Sequence, residues 1–266
     1  MSDFSDYGEN KICRLLTGGT FSLPDSFDIG LLIDVDDTSF TEVSFSGYAR
    51  VSAPRDLNTW SGTQGAGTIT VSEGTSRQVS NNVAFDFGDT DADITVNAIG
   101  LFDGDDLFCY ALFNSPITAN AGSRVIVDAG YIVFSLAPSG GLTNSAANIL
   151  LDCVFRGQAY MPAPQWRVAL YTQTPSLAGT GGVEVSGGGY SRVAFDSWQI
   201  VNDIASNASA VSFPAPTGNW GTITGCALFD SIGNMMFADS FTQPVSIVSG
   251  AGAPRFSAGS IGIMVA

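Results

Sequence analysis

The chain contains no histidine, and only 10 lysines and arginines stand against 25 aspartates and glutamates in its 266 residues. Without histidine it loses the commonest general base and the commonest metal ligand, so hydrolysis by a Ser-His-Asp arrangement is excluded. The formal net charge of −15 repels phosphate backbones and excludes DNA or RNA as the partner. Charged residues of all kinds make up 13%, about half the usual share. That scarcity leaves a neutral surface of Ser, Thr, Gly and Ala, which suits burial against other protein subunits. The four cysteines, Cys13, Cys109, Cys153 and Cys226, show no Cys-x-x-Cys spacing, so neither a zinc site nor a redox pair is expected. Long apolar runs are missing too. The best, Ala146 to Phe155, is broken by Asn148 and Asp152 and falls short of the roughly 18 residues that cross a bilayer. The start, Met1-Ser-Asp-Phe-Ser-Asp-Tyr7, has neither the basic region nor the apolar core of a signal peptide, which predicts no export by that route and no membrane anchor.

What is abundant points to β structure. Hydrophobic residues reach 45%, with 18 phenylalanines, and 31 glycines punctuate the chain. Short runs of Val, Ile, Phe and Thr set between Gly, Ser, Asn and Asp turns read as many short strands in an all-β, globular protein.

The order of these runs repeats. Asn10-Lys-Ile-Cys-Arg-Leu-Leu-Thr-Gly-Gly19, with Pro24 beyond, parallels Asn148-Ile-Leu-Leu-Asp-Cys-Val-Phe-Arg-Gly157 with Pro162, and each leads into a strand, Ile29 to Ile33 and Arg167 to Tyr171. Glu42-Val-Ser-Phe-Ser-Gly-Tyr48-Ala-Arg50-Val matches Glu184-Val-Ser-Gly-Gly-Gly-Tyr190-Ser-Arg192-Val, the strongest pairing. Asn82 to Phe85 then aligns with Ala210 to Phe213, Ile99 to Asp103 with Cys226 to Asp230, Phe113-Asn-Ser-Pro116 with Phe241-Thr-Gln-Pro244, and Ala129-Gly130 with Ala258-Gly259. The chain is therefore read as two diverged copies: residues 1–137, a linker at 138–143, and residues 144–266. Each copy is expected to be a separate β-sandwich, jelly-roll-like, with one short leading helix. In the second copy Asn144 or Ser145 is the expected cap, Ile149, Leu150, Cys153 and Val154 the apolar stripe, and Gly157 the left-handed terminus. The first copy carries an insert after Val51, including Trp60 to Gly67 and the alternating Thr68 to Ser72, that reads as an extra hairpin.

No catalytic, cofactor-binding or metal-binding residue is assigned. Gly187-Gly-Gly189 lacks the Gly-Lys-Ser/Thr of a phosphate loop and reads as a tight turn or bulge. The acidic clusters at Asp34 to Asp37, Asp86 to Asp93 and Asp103 to Asp106 lack EF-hand spacing and read as solvated loops; Asp89, Asp91 and Asp93 are the best alternative for a structural cation. Acidic residues are plentiful, but none form the specific pair that a glycosidase needs. The cysteines fall at positions that are apolar in the other copy, Cys153 opposite Leu15 and Cys109 opposite Phe237, and read as buried free thiols. Tyr48 with Arg50, and Tyr190 with Arg192, are candidates for a binding surface, since alternate residues of a strand share a face. The reading preferred for both pairs is a tyrosine supporting a turn beside a structural arginine.

In the second copy, Leu150-Leu-Asp-Cys-Val-Phe-Arg-Gly-Gln-Ala-Tyr160, Val168 to Thr172, Glu184 to Arg192 and Asn219-Trp-Gly-Thr222 followed by Ala227 to Asp230 resemble a domain widespread in tailed bacteriophages. That domain is usually labelled a tail-fibre protein and is similar to small β-sandwich modules that decorate capsids or build fibres. The resemblance spans nearly all of residues 144–266. In the first copy Ser44-Phe45-Ser46 replaces the leading glycines, and Asp93-Ile-Thr-Val96 replaces the Trp-Gly segment. The resemblance implies a virion structural protein with no enzymatic turnover, assembled in the host cytoplasm and carried on the outer surface of the particle. Two roles follow from it: a cement on the major capsid protein, which is the first choice because an acidic surface fits the outside of a head, or a tail-fibre subunit bound to tail proteins. Homo-oligomers, trimers foremost, are expected in either role.

Overall fold

The computed structural model describes residues 2–19, 22–62, 77–136, 140–160, 165–201 and 204–265. The expected hairpin of the first copy falls largely on residues 63–76, and Pro162 and the start of the linker fall on 161–164 and 137–139; these lie outside the described residues.

The first copy runs β1 (Ser2–Phe4), α1 (Asp6–Leu16), β2 (Ser26–Val35), β3 (Phe40–Glu42), β4 (Val51–Pro54), β5 (Gln78–Ser80), β6 (Phe85–Asp89), β7 (Ile94–Asp103), β8 (Asp106–Ala119), β9 (Arg124–Val127) and β10 (Val133–Ser135). The second runs α2 (Asn144–Arg156), β11 (Trp166–Gln173), β12 (Val183–Glu184), β13 (Val193–Phe195), β14 (Trp198–Val201), β15 (Ile204–Asn207), β16 (Val211–Ser212), β17 (Gly221–Phe229), β18 (Met235–Ile247), β19 (Arg255–Phe256) and β20 (Gly262–Ile263). The main sheet has the order β1-β8-β7-β2-β3 in one copy and β18-β17-β11-β12 in the other, with β4 and β13 also paired to β2 and β11. Small sheets complete each copy, β5-β10 and β6-β9 in the first, β14-β15-β20 and β16-β19 in the second. The protein is all-β and duplicated, each copy led by one helix.

The central strands are nearly continuous hydrophobic runs because both of their faces are covered. In β2, Phe27, Ile29 and Leu31 enter the main core, whereas Leu32 faces the other way, with Ala98, Phe102, Leu107 and Tyr110. The second copy repeats this outer cluster with Ala169, Tyr171, Ala227, Phe229 and Ala238.

The matched Phe-x-x-Pro segments have a shared structural cause. Ala98 sits opposite Leu112 and Val96 opposite Ile117, so Asn97 alone faces the four residues Phe113–Pro116. Likewise Gly225 is opposite Ser240 and Ile223 opposite Val245, leaving Thr224 facing Phe241–Pro244. Proline cannot donate to a ladder, and a bulge is where a strand can hold one.

Several expectations are corrected. The helix caps are Ser5 and Thr143, not Asn144 or Ser145: Thr143 Oγ1 accepts from Ala146 N–H at 3.2 Å and donates to the Met235 carbonyl at 2.6 Å. Ser5 does the same with Gly8 N–H and the Leu107 carbonyl. Gly157 is left-handed at φ 64°, as the sequence suggests. The apolar stripe is only part of α2, because Asn148, Asp152 and Arg156 are buried as well. Asp152 and Arg156 pair at 2.9 Å, yet burial outweighs the arginine and holds the aspartate above its ordinary pKa. The Asn82–Phe85 alignment slips by two residues: Phe87 stacks on Tyr48 as Phe213 stacks on Tyr190, so Phe87 is the counterpart of Phe213.

The two copies keep separate sheets, and they are joined by one contiguous hydrophobic core that contains residues of both. Phe155 of α2 packs on Trp60 and Phe134 of the first copy, with ring centres 5.0 and 4.9 Å apart. Each helix also ends in the opposite copy. The Trp166 indole N–H donates to the Leu16 carbonyl of α1 at 3.1 Å. The half-buried Arg55 guanidinium donates to the Val154 carbonyl at 2.6 Å, to Pro24 at 2.7 Å and to Cys153.

Two outcomes follow. Calorimetry is expected to show one cooperative transition with equal calorimetric and van't Hoff enthalpies; two resolved transitions would contradict the shared core. Arg55→Ala strips donors from buried helix-end carbonyls and is expected to lower stability in urea unfolding by about 3 kcal/mol.

Candidate functional site

Tyr48 and Arg50 occupy a loop ahead of β4 and not a strand. What brings them together is Glu42 at the end of β3. The Tyr48 hydroxyl accepts from Leu31 N–H at 2.9 Å and donates to Glu42 Oε1 at 2.5 Å. Arg50 donates to the same carboxylate through Nε and Nη2 at 3.0–3.2 Å, while its plane lies 3.5 Å over the Phe102 ring. The second copy repeats the arrangement. Tyr190 accepts from Leu170 N–H at 2.9 Å and donates to Glu184 at 3.1 Å, Arg192 grips Glu184 at 2.8–2.9 Å, and its guanidinium lies 3.7 Å over Phe229. Burial pushes both tyrosines above their ordinary pKa, and the neighbouring carboxylate adds to this. The same carboxylate holds Arg192 above its own. These residues are structural: they pin a loop to the sheet and roof the outer apolar cluster.

The two departures of the first copy from the motif compensate for each other. In the second copy the Trp220 ring meets Tyr190 edge-on at 5.3 Å, and its indole N–H donates to the Gly188 carbonyl at 2.8 Å. Gly188 is left-handed at φ 56°, and a Cβ there would come within 3.0 Å of Trp220, so the glycine turn exists to admit the tryptophan. The first copy has Asp93 in place of this tryptophan, and Phe45 packs on Tyr48 at 5.1 Å instead.

A buried asparagine recurs as well, and the sequence reading missed it. Asn81 takes Ile132 N–H on Oδ1 and donates to Val83 and Asp128 carbonyls, all at 2.8 Å. Asn207 takes Ile261 N–H at 2.8 Å and donates to Ser209 and Ser257 at 2.7 and 2.9 Å. The paired order Trp60–Asn81 and Trp198–Asn207 was the available signal.

The acidic clusters disperse into local roles. Asp89 faces Arg124 at 3.6 Å, Asp91 accepts from Ser46 N–H at 2.9 Å, and Asp93 accepts from Ala121 N–H at 2.9 Å. Asp36 caps its own turn and is held below its ordinary pKa by hydrogen bonds, first from Thr38 N–H. Asp37 takes the Tyr110 hydroxyl and Asp103 that of Tyr7. Among the described residues no group of three or more acidic or cysteine side chains is placed to hold a metal ion. The four cysteines are free, three buried and Cys226 half-buried. Burial pushes the Cys109, Cys153 and Cys226 thiols up, Cys226 to about 12 with Asp239 adding to the effect.

Among the described residues, two grooves lie at equivalent places in the two copies. One, of about 500 Å³, lies between the β8 bulge at Leu112–Ser115 and Tyr131 and Val133 near β10. The other, of about 300 Å³, lies between Asp239–Phe241 of β18 and Ser260–Gly262 near β20. No described helix is long and apolar enough to cross a membrane.

A tandem pair of sandwiches whose conserved polar clusters are spent on holding loops and hairpins defines a duplicated structural module, with its surface grooves left for contact. The family model described as Podophage GP4 fiber I protein gp80 matches it twice, over residues 3–135 and 141–264, so the chain belongs to that family and is a phage virion protein. Among curated proteins none matches the chain.

Glu42→Ala is expected to cost about 1–3 kcal/mol, because it leaves the Tyr48 hydroxyl and Arg50 without their acceptor. Glu184→Ala, at a more exposed arginine, is expected to cost less; paired urea titrations test the order. A thiol reagent at pH 8 is expected to label none of the native protein rapidly and four thiols after denaturation without reductant.

Proposed function

We propose that the protein is a fibre-type subunit on the outside of the phage particle, attached through the tail and acting by protein contact, without turnover. The single observation that carries this reading is the double match to a fibre family, which accounts for both halves of the chain. Supporting it, the polar groups that most resembled a reactive site, Glu42, Tyr48 and Arg50 with their counterparts, are engaged in holding the fold. The neutral, weakly charged surface fits burial between subunits in a homo-oligomer put together in the host cytoplasm. Head-shell decoration, the first choice from sequence on the acidic charge and the lack of a long β-helical or coiled-coil stalk, is the alternative; the description of the family, which names a fibre, supports the fibre role.

Copy number and deletion separate the two. Quantitative mass spectrometry of purified particles is expected to find a few to a few tens of copies. Particles lacking the gene are expected to stay sturdy on heating and to fail in adsorption. Hundreds of copies, together with deletion particles that burst on heating, would instead establish a cement.

A further inference from the structure

The two copies have diverged at two surface places in opposite senses. In the first copy the groove is uncharged and accessible: Leu112, Tyr131 and Val133 line it at 42%, 57% and 39% exposure, Phe113 braces Tyr131 edge-on at 6.0 Å, and no lining residue is charged. The pairing registers put Ser240, Ser260 and Gly262 at the corresponding places in the second copy, and Asp239 joins that lining. The β17–β18 turn shows the reverse. Ile232 stands at its tip at 80% exposure, the highest of the exposed large apolar residues described. Its presentation is rigid, because the buried Asp230 carboxylate accepts from Ile232, Gly233 and Asn234 N–H groups at 2.8–3.1 Å and from the Asn234 side chain at 2.8 Å. The corresponding turn in the first copy, Asp103-Gly104-Asp105-Asp106, is acidic. Among the described residues the most exposed apolar knob and the uncharged one of the two equivalent grooves therefore lie on different copies of the repeat.

We propose that Ile232 of one chain seats in the Leu112–Tyr131 groove of a second copy of the same chain, giving a head-to-tail contact. Charge selects this occupant. Two molecules of net charge −15 repel each other overall, and here an uncharged groove meets a tip whose own carboxylate is turned inward and consumed by its turn. A knob and a hole at different places on one molecule make a heterologous contact, which propagates into rings or filaments instead of stopping at a two-fold dimer. The contact is small, so it is weak in dilute solution and gains strength where subunits are held side by side. The inference rests on the reading of the protein as a virion assembly subunit.

The test uses the full chain with cysteines at the knob and the groove rim, Ile232→Cys with Asn114→Cys, oxidised mildly in concentrated solution. A ladder of linked species is expected, with peptide mapping showing the bond between positions 232 and 114. Adding Leu112→Asp to the double variant is expected to reduce the ladder at least tenfold while leaving the circular dichroism unchanged. The control pair Ile33→Cys with Asn114→Cys, which moves one cysteine to another exposed apolar site, is expected to remain unlinked. No ladder, a ladder equal to that of the control pair, or bonds only between two positions 232 would overturn the contact. Such a failure leaves the protein's presence on particles untouched, whereas its absence from purified particles would overturn the virion reading itself.

Discussion

A helix that ends inside a protein must find donors for its last carbonyls, and here that requirement ties the molecule together. Each copy caps part of its own helix, Thr17, Gly18 and Gly19 N–H groups serving α1 and Gln158 serving α2, but leaves carbonyls of the last turn for the other copy to close. Trp166 closes α1 and Arg55 closes α2, each from across the repeat boundary. The arginine is held by burial below its ordinary pKa, and its position is tolerable because carbonyl oxygens surround it. The aromatic packing of Phe155 against Trp60 and Phe134 fills the space between these closures. Duplication has thus produced one folding unit from two similar modules.

Within that unit the copies keep the same construction with different parts. Tyrosine, glutamate and arginine are retained at the loop that crosses the outer cluster, while the aromatic that braces the tyrosine comes from different segments, Phe45 in one copy and Trp220 in the other. The glycine turn and the tryptophan are consequently one feature, present or absent together. A bulge of the same size interrupts β8 and β18, and it displaces the residue on each strand that lines a groove.

The duplication, the helices, the main strands and the motif Glu-x-x-x-x-x-Tyr-x-Arg were readable because local order and residue type carry them. What the sequence could not display was partnership over distance. Arg55 lies outside every matched segment and has no counterpart in role, so nothing marked it as the partner of Val154, 99 positions away. Asn81 and Asn207 escaped because the spacing to the following valine changes from two residues to four, which also caused the two-residue slip at Phe87. The polar face of α2 was not legible either: Asp152 and Arg156 lie off the expected apolar stripe, but their i, i+4 ion pair is buried. Asn144 and Ser145 were the expected caps on residue type; the Met235 carbonyl, which takes the Thr143 hydroxyl, decided otherwise.

The closure of α1 by Trp166 has a consequence during synthesis. The indole follows Leu16 by 150 positions, so at ribosomal speeds the nascent amino-terminal half waits about 8–30 s for the residue that seals its helix. During that interval Ile12 and Leu16, and then the apolar faces of β2 and β7 as they emerge, are made but not fully enclosed. Nascent chains of this protein are therefore exposed to chaperones and to one another on crowded polysomes, and an early stop codon in the second half removes the seal from the first half as well.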